Sequence, residues 1–511
     1  MPSRTIVIDG NHLTVEQVVA VAREYSRVSL APSAVRGMKR SRDWVERAVR
    51  DRAIVYGVTT GFGAFQNVSI PPERQRELQR NLILSHCAGV GEPLPEDVVR
   101  AMMLLRANAL AKGFSGIRVS TVDALLGMLN RGVHPVIPSQ GSVGASGDLA
   151  PLSHMAAVLI GEGEAFYRGR RMPGAAAMRK AVLKPVVLEA KEGIALNNGT
   201  QAMSAIGVLA LCDAEVIADA ADVAAALSLE AVKGKTLPFA PQVHRIRPHP
   251  GQSTVAAHVR ALVHGSQLVD SADWDTSDKV QDSYSLRCIP QVHGASRDSI
   301  AHVRRVLEIE INSATDNPLI FPGGHSAFSA GNFHGQPVAL AMDFLGLAVA
   351  ELGSISERRS AKLTDKHHNS GLPAFLARRG GVESGLMIAQ YTAAALVSEN
   401  KVLIHPASGD SIPTSANQED HVSMGTIASR QTAEIVSNVR RVLAIELLCA
   451  AQGLDIRNRK PGKGSTRALA AIRKAVPKLS GDRPLTPDIE RVARVIGAGE
   501  FSMILGSLGR R

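Results

Sequence analysis

The segment from Gly141 to His154, GSVGASGDLAPLSH, holds the most unusual chemical capacity in the chain. Glycines at 141, 144 and 147 surround Ala145 and Ser146 and permit backbone angles closed to other residues, so a very tight turn is possible. The G-x-x-G-x-x-G spacing is not a dinucleotide-binding fingerprint, and no strand-like run precedes it. Nor is Ser146 flanked as in a G-x-S-x-G nucleophile elbow. A compressed turn does allow cyclisation: the Gly147 amide nitrogen attacks the Ala145 carbonyl carbon, two waters leave, and Ser146 becomes an exocyclic methylidene on a five-membered ring. Such a ring is a strong electrophile, which no ordinary side chain supplies, and it acts as an internal cofactor. Ala-Ser-Gly arises by chance in roughly one chain in four of this length, so the turn gains meaning only from residues elsewhere. Asp148 reads as the N-cap of an apolar helix from Leu149 to Ile160, ended by Gly161.

Five further strings carry residues suited to the same chemistry: YGVTTGFG at 56–63, LSHCAG at 84–89, EGIALNNGTQ at 192–201, QDSYSLR at 281–287 and ANQEDHVSM at 416–424, with NSATDNP and GNFHGQP between the last two. Together with the turn they resemble the histidine and aromatic amino-acid ammonia-lyase family along nearly the whole chain. The resemblance implies a 4-methylidene-imidazol-5-one formed autocatalytically from Ala145, Ser146 and Gly147, with no metal and no diffusible cofactor. Removing a β-proton that nothing acidifies requires a better leaving group and a positioned base. The ring meets the first need. By the resemblance Tyr56 meets the second as a phenolate, for which a nearby positive field should lower its pKa. Arg287 offers a planar fork for the substrate carboxylate. Gln281, Tyr284 and Asn198 resemble the family's polar residues around ring and carboxylate, and Phe333 its apolar wall.

The pair Ser85-His86 resembles the histidine-type members, where phenylalanine-type members have Phe-Leu and tyrosine-type members His-Leu. Glu419 stands where phenylalanine-type members resemble one another in an amide. An imidazole can hydrogen-bond both His86 and Glu419, whereas a phenyl ring would leave them unpaired at roughly 1–3 kcal/mol each. The expected reaction is therefore L-histidine to trans-urocanate and ammonia. Phenylalanine or tyrosine elimination, an aminomutase, and a catalytically dead helical scaffold are the alternatives. Asn197, Ser283, Ile289 and His293 depart from the histidine-type pattern and bear on specificity.

The elements that must position these residues are mainly helices. Period and capping predict helices at Glu96 to Ala111, Thr121 to Asn130, Gln201 to Leu229, Gln336 to Ser356, Val382 to Leu403 and His421 to Ala451. Aromatics at 4% and recurrent alanines favour helix over a β-sandwich. The expected architecture is a mainly α chain. Residues 1–205 form a loop-rich, mixed N-terminal domain carrying the prosthetic group, and residues 206–511 form a long antiparallel helical bundle. The stretch Val338 to Ala350 is too short and too charged to span a membrane and reads as a buried core helix.

The net charge of +11 does not point to nucleic acid, because the basic residues are dispersed and few aromatics accompany them. The one cluster, Arg457 to Arg467, reads as a solvated inter-helix loop without a phosphate-loop pattern. Cys87, Cys212, Cys288 and Cys449 are scattered, with neither disulfide nor zinc spacing, and MPSRTIVIDGNHLTVEQ has no apolar signal region. A cytoplasmic enzyme is expected, and the resemblance implies a homotetramer whose active sites are shared between subunits.

Overall fold

A computed structural model describes residues 5–270, 280–323 and 326–508. The fold is mainly α. The helix Glu96–Ala111 falls on the expected residues, with Glu96 and Asp97 in its first turn, where acidic side chains complement the helix dipole. The helices Val119–Asn130, Gln201–Ala231, Gln336–Thr364, Met387–Leu403 and Gly425–Arg457 answer the other expectations, several reaching further at one end. The last starts four residues late because Met424 has φ +57°, outside the helical region.

The chain packs as two compact units. The first comprises residues 1–209, 304–343 and 406–430, and the second 210–303, 344–405 and 431–511. The chain thus returns twice to the first unit, which a single boundary near residue 205 does not describe. Short strands occur mainly in the first unit. Ile6–Ile8 pairs in parallel with Val28–Leu30, and Glu164–Tyr167 lies antiparallel between Val133–Pro135 and Arg170–Pro173.

Two sequence expectations change, and that of a buried core helix at 338–350 holds with one face open. Asp148 does precede the helix Leu149–Leu159 but makes no side-chain cap to it. Its carboxylate instead accepts from the amides of Ala202 and Met203, both at 2.9 Å, and so caps the helix Gln201–Ala231. The stretch 338–350 lies within the helix Gln336–Thr364, but Leu340, Phe344 and Leu347 are 43–56% exposed, so one face is apolar and open. The basic cluster contains a helix start at Lys463 rather than a solvated loop throughout. Gly462, Gly464 and Ser465 are buried there, and the Gly462 amide donates to Glu230 at 2.6 Å.

Two helices, Gln201–Ala231 and Gln336–Thr364, are long and apolar enough to cross a membrane, but 78% and 67% of their most apolar windows are buried within the protein. Burial of that extent marks them as core helices.

Candidate active site

The Gly141–Asp148 turn is compressed as its glycines suggested. Gly144 and Gly147 take φ of +65° and +69°. A Cβ at Gly147 would lie 2.1 Å from the carbonyl oxygen of Gly199, so only glycine fits. Ala145 and Gly147 pair across the turn as an isolated antiparallel bridge. Asp148 anchors the turn from below. Besides capping the Gln201–Ala231 helix, its buried carboxylate accepts from Ser142 at 2.9 Å and from the Thr426 hydroxyl. Burial pushes this carboxyl above its ordinary value, and its four donors oppose the rise.

The Ser146 hydroxyl donates to Glu419 Oε1 at 2.8 Å, and the Asn198 amide donates to the Ser146 carbonyl at 3.1 Å. Glu419 is held in turn by Thr414, whose hydroxyl donates to Oε2 at 2.9 Å and whose backbone exchanges two hydrogen bonds with it. Of the four intervening residues, Ser415, Ala416 and Asn417 have φ between +51° and +66°. Three consecutive non-glycine residues in that region store backbone strain, which persists only where the surroundings enforce it.

Tyr56 lies in a turn tied by its own threonines. The Gly57 amide donates to Thr60 at 3.2 Å and the Thr59 hydroxyl donates to Ala53 O at 2.6 Å. The Tyr56 hydroxyl accepts from the Gly63 amide at 3.3 Å. Ser85 and His86 end the helix Gln75–His86. The Ser85 hydroxyl donates to Leu82 O at 3.1 Å, so its 3.0 Å contact with His86 is served by a proton on the imidazole Nδ1. Nε2 is then an acceptor.

Tyr56, Ser85, His86, Ser146, Asn198, Phe333 and Glu419 all line one cavity of about 1070 Å³. Among the described residues that line it there is neither lysine nor arginine. This changes the expectation for Tyr56. Burial holds its phenol above the ordinary value, the Gly63 amide pulls the other way, and the Glu419 carboxylate adds to the rise. The expected lowering is not produced within this unit. Burial holds the His86 imidazole below its ordinary value, with the Leu82 carbonyl and Glu419 opposing.

Residues 13–474 match the aromatic amino acid lyase family. The chain belongs to that family. It is 55% identical to the histidine ammonia-lyase of Caldanaerobacter subterraneus subsp. tengcongensis across 99% of both chains. Among solved structures it resembles histidine ammonia-lyase from Trypanosoma cruzi, with a TM-score of 0.92, 44% identity, and coverage of 99% of this chain and 96% of that one. It also resembles tyrosine aminomutase from Streptomyces globisporus, with a TM-score of 0.94, 41% identity and 99% of both chains covered. Membership makes the chain a carbon–nitrogen lyase.

Three residues singled out by the family resemblance do not line this cavity. Gln281, Tyr284 and Arg287 belong to the second unit. Gln281 is exposed, Tyr284 is 70% exposed, and the Arg287 guanidinium stands 4.7 Å over the Tyr284 ring. The Arg287 Nε is buried without a partner. Sequence reading passed over Thr414, Ser142 and Thr426, which hold Glu419 and Asp148. Isolated hydroxyl residues carry no pattern that marks such a role.

Proposed function

We propose that this member of the family eliminates ammonia from L-histidine to give trans-urocanate, in the cavity that joins Tyr56, His86, Ser146 and Glu419. The observation that carries the reading is the Ser146–Glu419 hydrogen bond, which puts the turn's reactive residue beside a carboxylate suited to an imidazole. The residues fit a 4-methylidene-imidazol-5-one. Gly147 leaves no space for a side chain, and Ala145 and Gly147 pair across the turn. Once formed from Ala145, Ser146 and Gly147, that group supplies the electrophile that turns the substrate amine into a leaving group.

The chain's own residues do the rest. His86 Nε2 accepts from one N–H of the substrate imidazolium, and the Glu419 carboxylate accepts from the other. Tyr56, as phenolate, takes the β-proton. Phe333 closes the apolar wall, and Asn198 holds the Ser146 carbonyl. Arg287 clamps the substrate carboxylate, with Gln281 and Tyr284 beside it.

Those last three reach the cavity from another copy of the chain, in a homotetramer with shared active sites. Two observations support this: among the described residues the cavity has no lysine or arginine to meet a carboxylate or lower Tyr56, and Leu340, Phe344 and Leu347 leave an apolar helix face open. Four free cysteines suit a reducing cytoplasm.

Purified protein supplied in parallel with histidine, phenylalanine and tyrosine should release urocanate from the first. Its intact mass should fall about 36 daltons below that of the unmodified chain, the weight of two waters. Ser146→Ala should abolish both the mass loss and turnover. Cinnamate without urocanate, or a β-amino acid as the main product, would overturn the assignment.

A further inference from the structure

Arg106 is fully buried in the helix Glu96–Ala111, and no proposed step of the reaction uses it. Its Nε and Nη2 both donate to the Ala195 carbonyl, the former at 3.0 Å. Its Nη1 donates to the Asn198 carbonyl at 2.8 Å and to Gln201 Oε1 at 2.7 Å. Gln201 passes the constraint on by donating to Thr315 at 2.7 Å. A charge withdrawn from water is costly unless its donors are satisfied, and here they converge on one short stretch of chain, 195–201, on two backbone carbonyls and the Gln201 side chain.

That stretch is the wall against which the Ala-Ser-Gly turn rests. The Asn198 amide donates to the Ser146 carbonyl, and the Gly199 carbonyl accepts from the Asp148 amide at 2.7 Å. The layers have no slack. A Cβ at Gly199 would lie 2.3 Å from Arg106 Nη1, and one at Gly147 would lie 2.1 Å from Gly199 O. Guanidinium, Gly199 and Gly147 are therefore stacked with no room for a methyl group at either contact.

We infer that Arg106 is a positioning residue for maturation of the turn: it holds the Asn198–Gly199 wall so that the Gly147 nitrogen stays pressed toward the Ala145 carbonyl. The inference rests on the proposed cyclisation. In that step the Gly147 N to Ala145 C bond forms, and one water leaves with the Ala145 oxygen and the amide hydrogens of Ser146 and Gly147. A second water leaves as the Ser146 hydroxyl with its Cα hydrogen. Misplacement by a fraction of an ångström slows a reaction that depends on such an approach.

The test uses the full chain with Arg106→Gln and Arg106→Lys. Intact mass and near-ultraviolet absorbance are read on the fraction that is native by circular dichroism and size exclusion. Wild type should be shifted by about 36 daltons throughout. In Arg106→Gln the matured fraction should be about tenfold smaller, and Arg106→Lys should recover part of it, because an ammonium still reaches some of the carbonyls. A merely structural arginine would lower yield and melting temperature yet leave the surviving native protein as mature as wild type, and that result would overturn the inference. If Arg106→Gln yields no native protein, Gln201→Met serves in its place. It removes one acceptor and the link to Thr315 but leaves the helix, with the same two outcomes. A wild-type chain that has lost no water would sink the cyclisation itself and this inference with it, whereas fully matured variants sink only the role of Arg106.

Discussion

Ser146 Oγ donates to Glu419 Oε1 across 2.8 Å although 273 residues separate the two in the chain. The same carboxylate is fixed on its other oxygen by Thr414, so its orientation is set before any substrate arrives. Glu419→Gln keeps an oxygen that can accept from Ser146 but removes the negative charge. The matured mass should therefore persist, while kcat/KM for histidine falls about 10–100-fold, the value of one buried polar contact. Parallel assays with phenylalanine should show a smaller loss, so the ratio of the two substrates is the deciding measurement. An unchanged ratio would remove Glu419 from substrate selection.

The raised pKa of Tyr56 gives a pH dependence with a definite sign. A base must be deprotonated to act, so kcat/KM should climb as pH rises from neutral toward the phenol's ordinary value of about 10. If Arg287 of another copy supplies the missing positive field, Arg287→Gln should displace that ascending limb to higher pH as well as weakening substrate binding. Tyr56→Phe should cost about 10²–10⁴-fold in kcat at every pH. A pH–rate profile on the three proteins checks all of this. A limb that stays in place in Arg287→Gln would break the electrostatic link.

Much of this site is legible in one dimension, and the parts that are not share a physical cause. The helix Glu96–Ala111 announces itself through its acidic first turn and apolar run, and the Gly-rich turn through φ values only glycine takes readily. Asp148 looks like a local cap because its immediate neighbours invite it. The helix amides it actually caps lie 54 and 55 residues onward, and no local preference encodes them. Arg106 reads as one polar residue in an apolar helix, while its meaning lies about 90 residues away in the backbone of Ala195 and Asn198. The direction of the Tyr56 shift is equally non-local. It depends on which charges the fold leaves out of the cavity.

Asn197 is the departure from the histidine-type pattern with the clearest structural content. It is fully buried, lines the cavity, and donates to the Ser153 hydroxyl at 3.1 Å, but its Oδ1 has no partner. An unpaired buried oxygen costs about 1–3 kcal/mol, so this wall is organised for a donor. Asn197→Leu should raise the melting temperature by a few degrees and at the same time raise KM for histidine. Thermal melts and steady-state kinetics on the same preparation separate the effects. A stabilised variant with unchanged KM would mean that the oxygen plays no part in binding.

His293, another departure, is fully buried in the second unit between Asp222 Oδ1 at 2.8 Å and the Arg359 guanidinium at 3.3 Å. Arg359 is itself paired with buried Glu446, and Asp222 also faces Arg297 and His258. The aspartate accepts a hydrogen bond from Nδ1–H, and Nε2 must accept from Arg359, so a second proton on the ring would meet a guanidinium. Burial is the largest cause holding the imidazole below its ordinary value; Arg359 lowers it further, while Asp222 and Glu446 oppose the shift. A histidine kept neutral in the folded state contributes its full stability above about pH 6.5. Below that the unfolded chain binds a proton that the folded chain refuses, and stability falls as pH falls. Burial would likewise raise Asp222, but Arg297 and the two histidines more than reverse it and hold the carboxyl well below the usual range, so its contribution survives to lower pH. His293→Met removes the titrating ring and leaves Asp222 one donor short. Its melting temperature should drop at pH 7.5, by an amount equivalent to about 1–3 kcal/mol, and the gap to wild type should narrow between pH 6.5 and 5. Melting curves across that range decide it: a gap that widens as pH falls would show that His293 is protonated in the folded chain after all, and a gap that stays constant would show that folding does not shift its pKa.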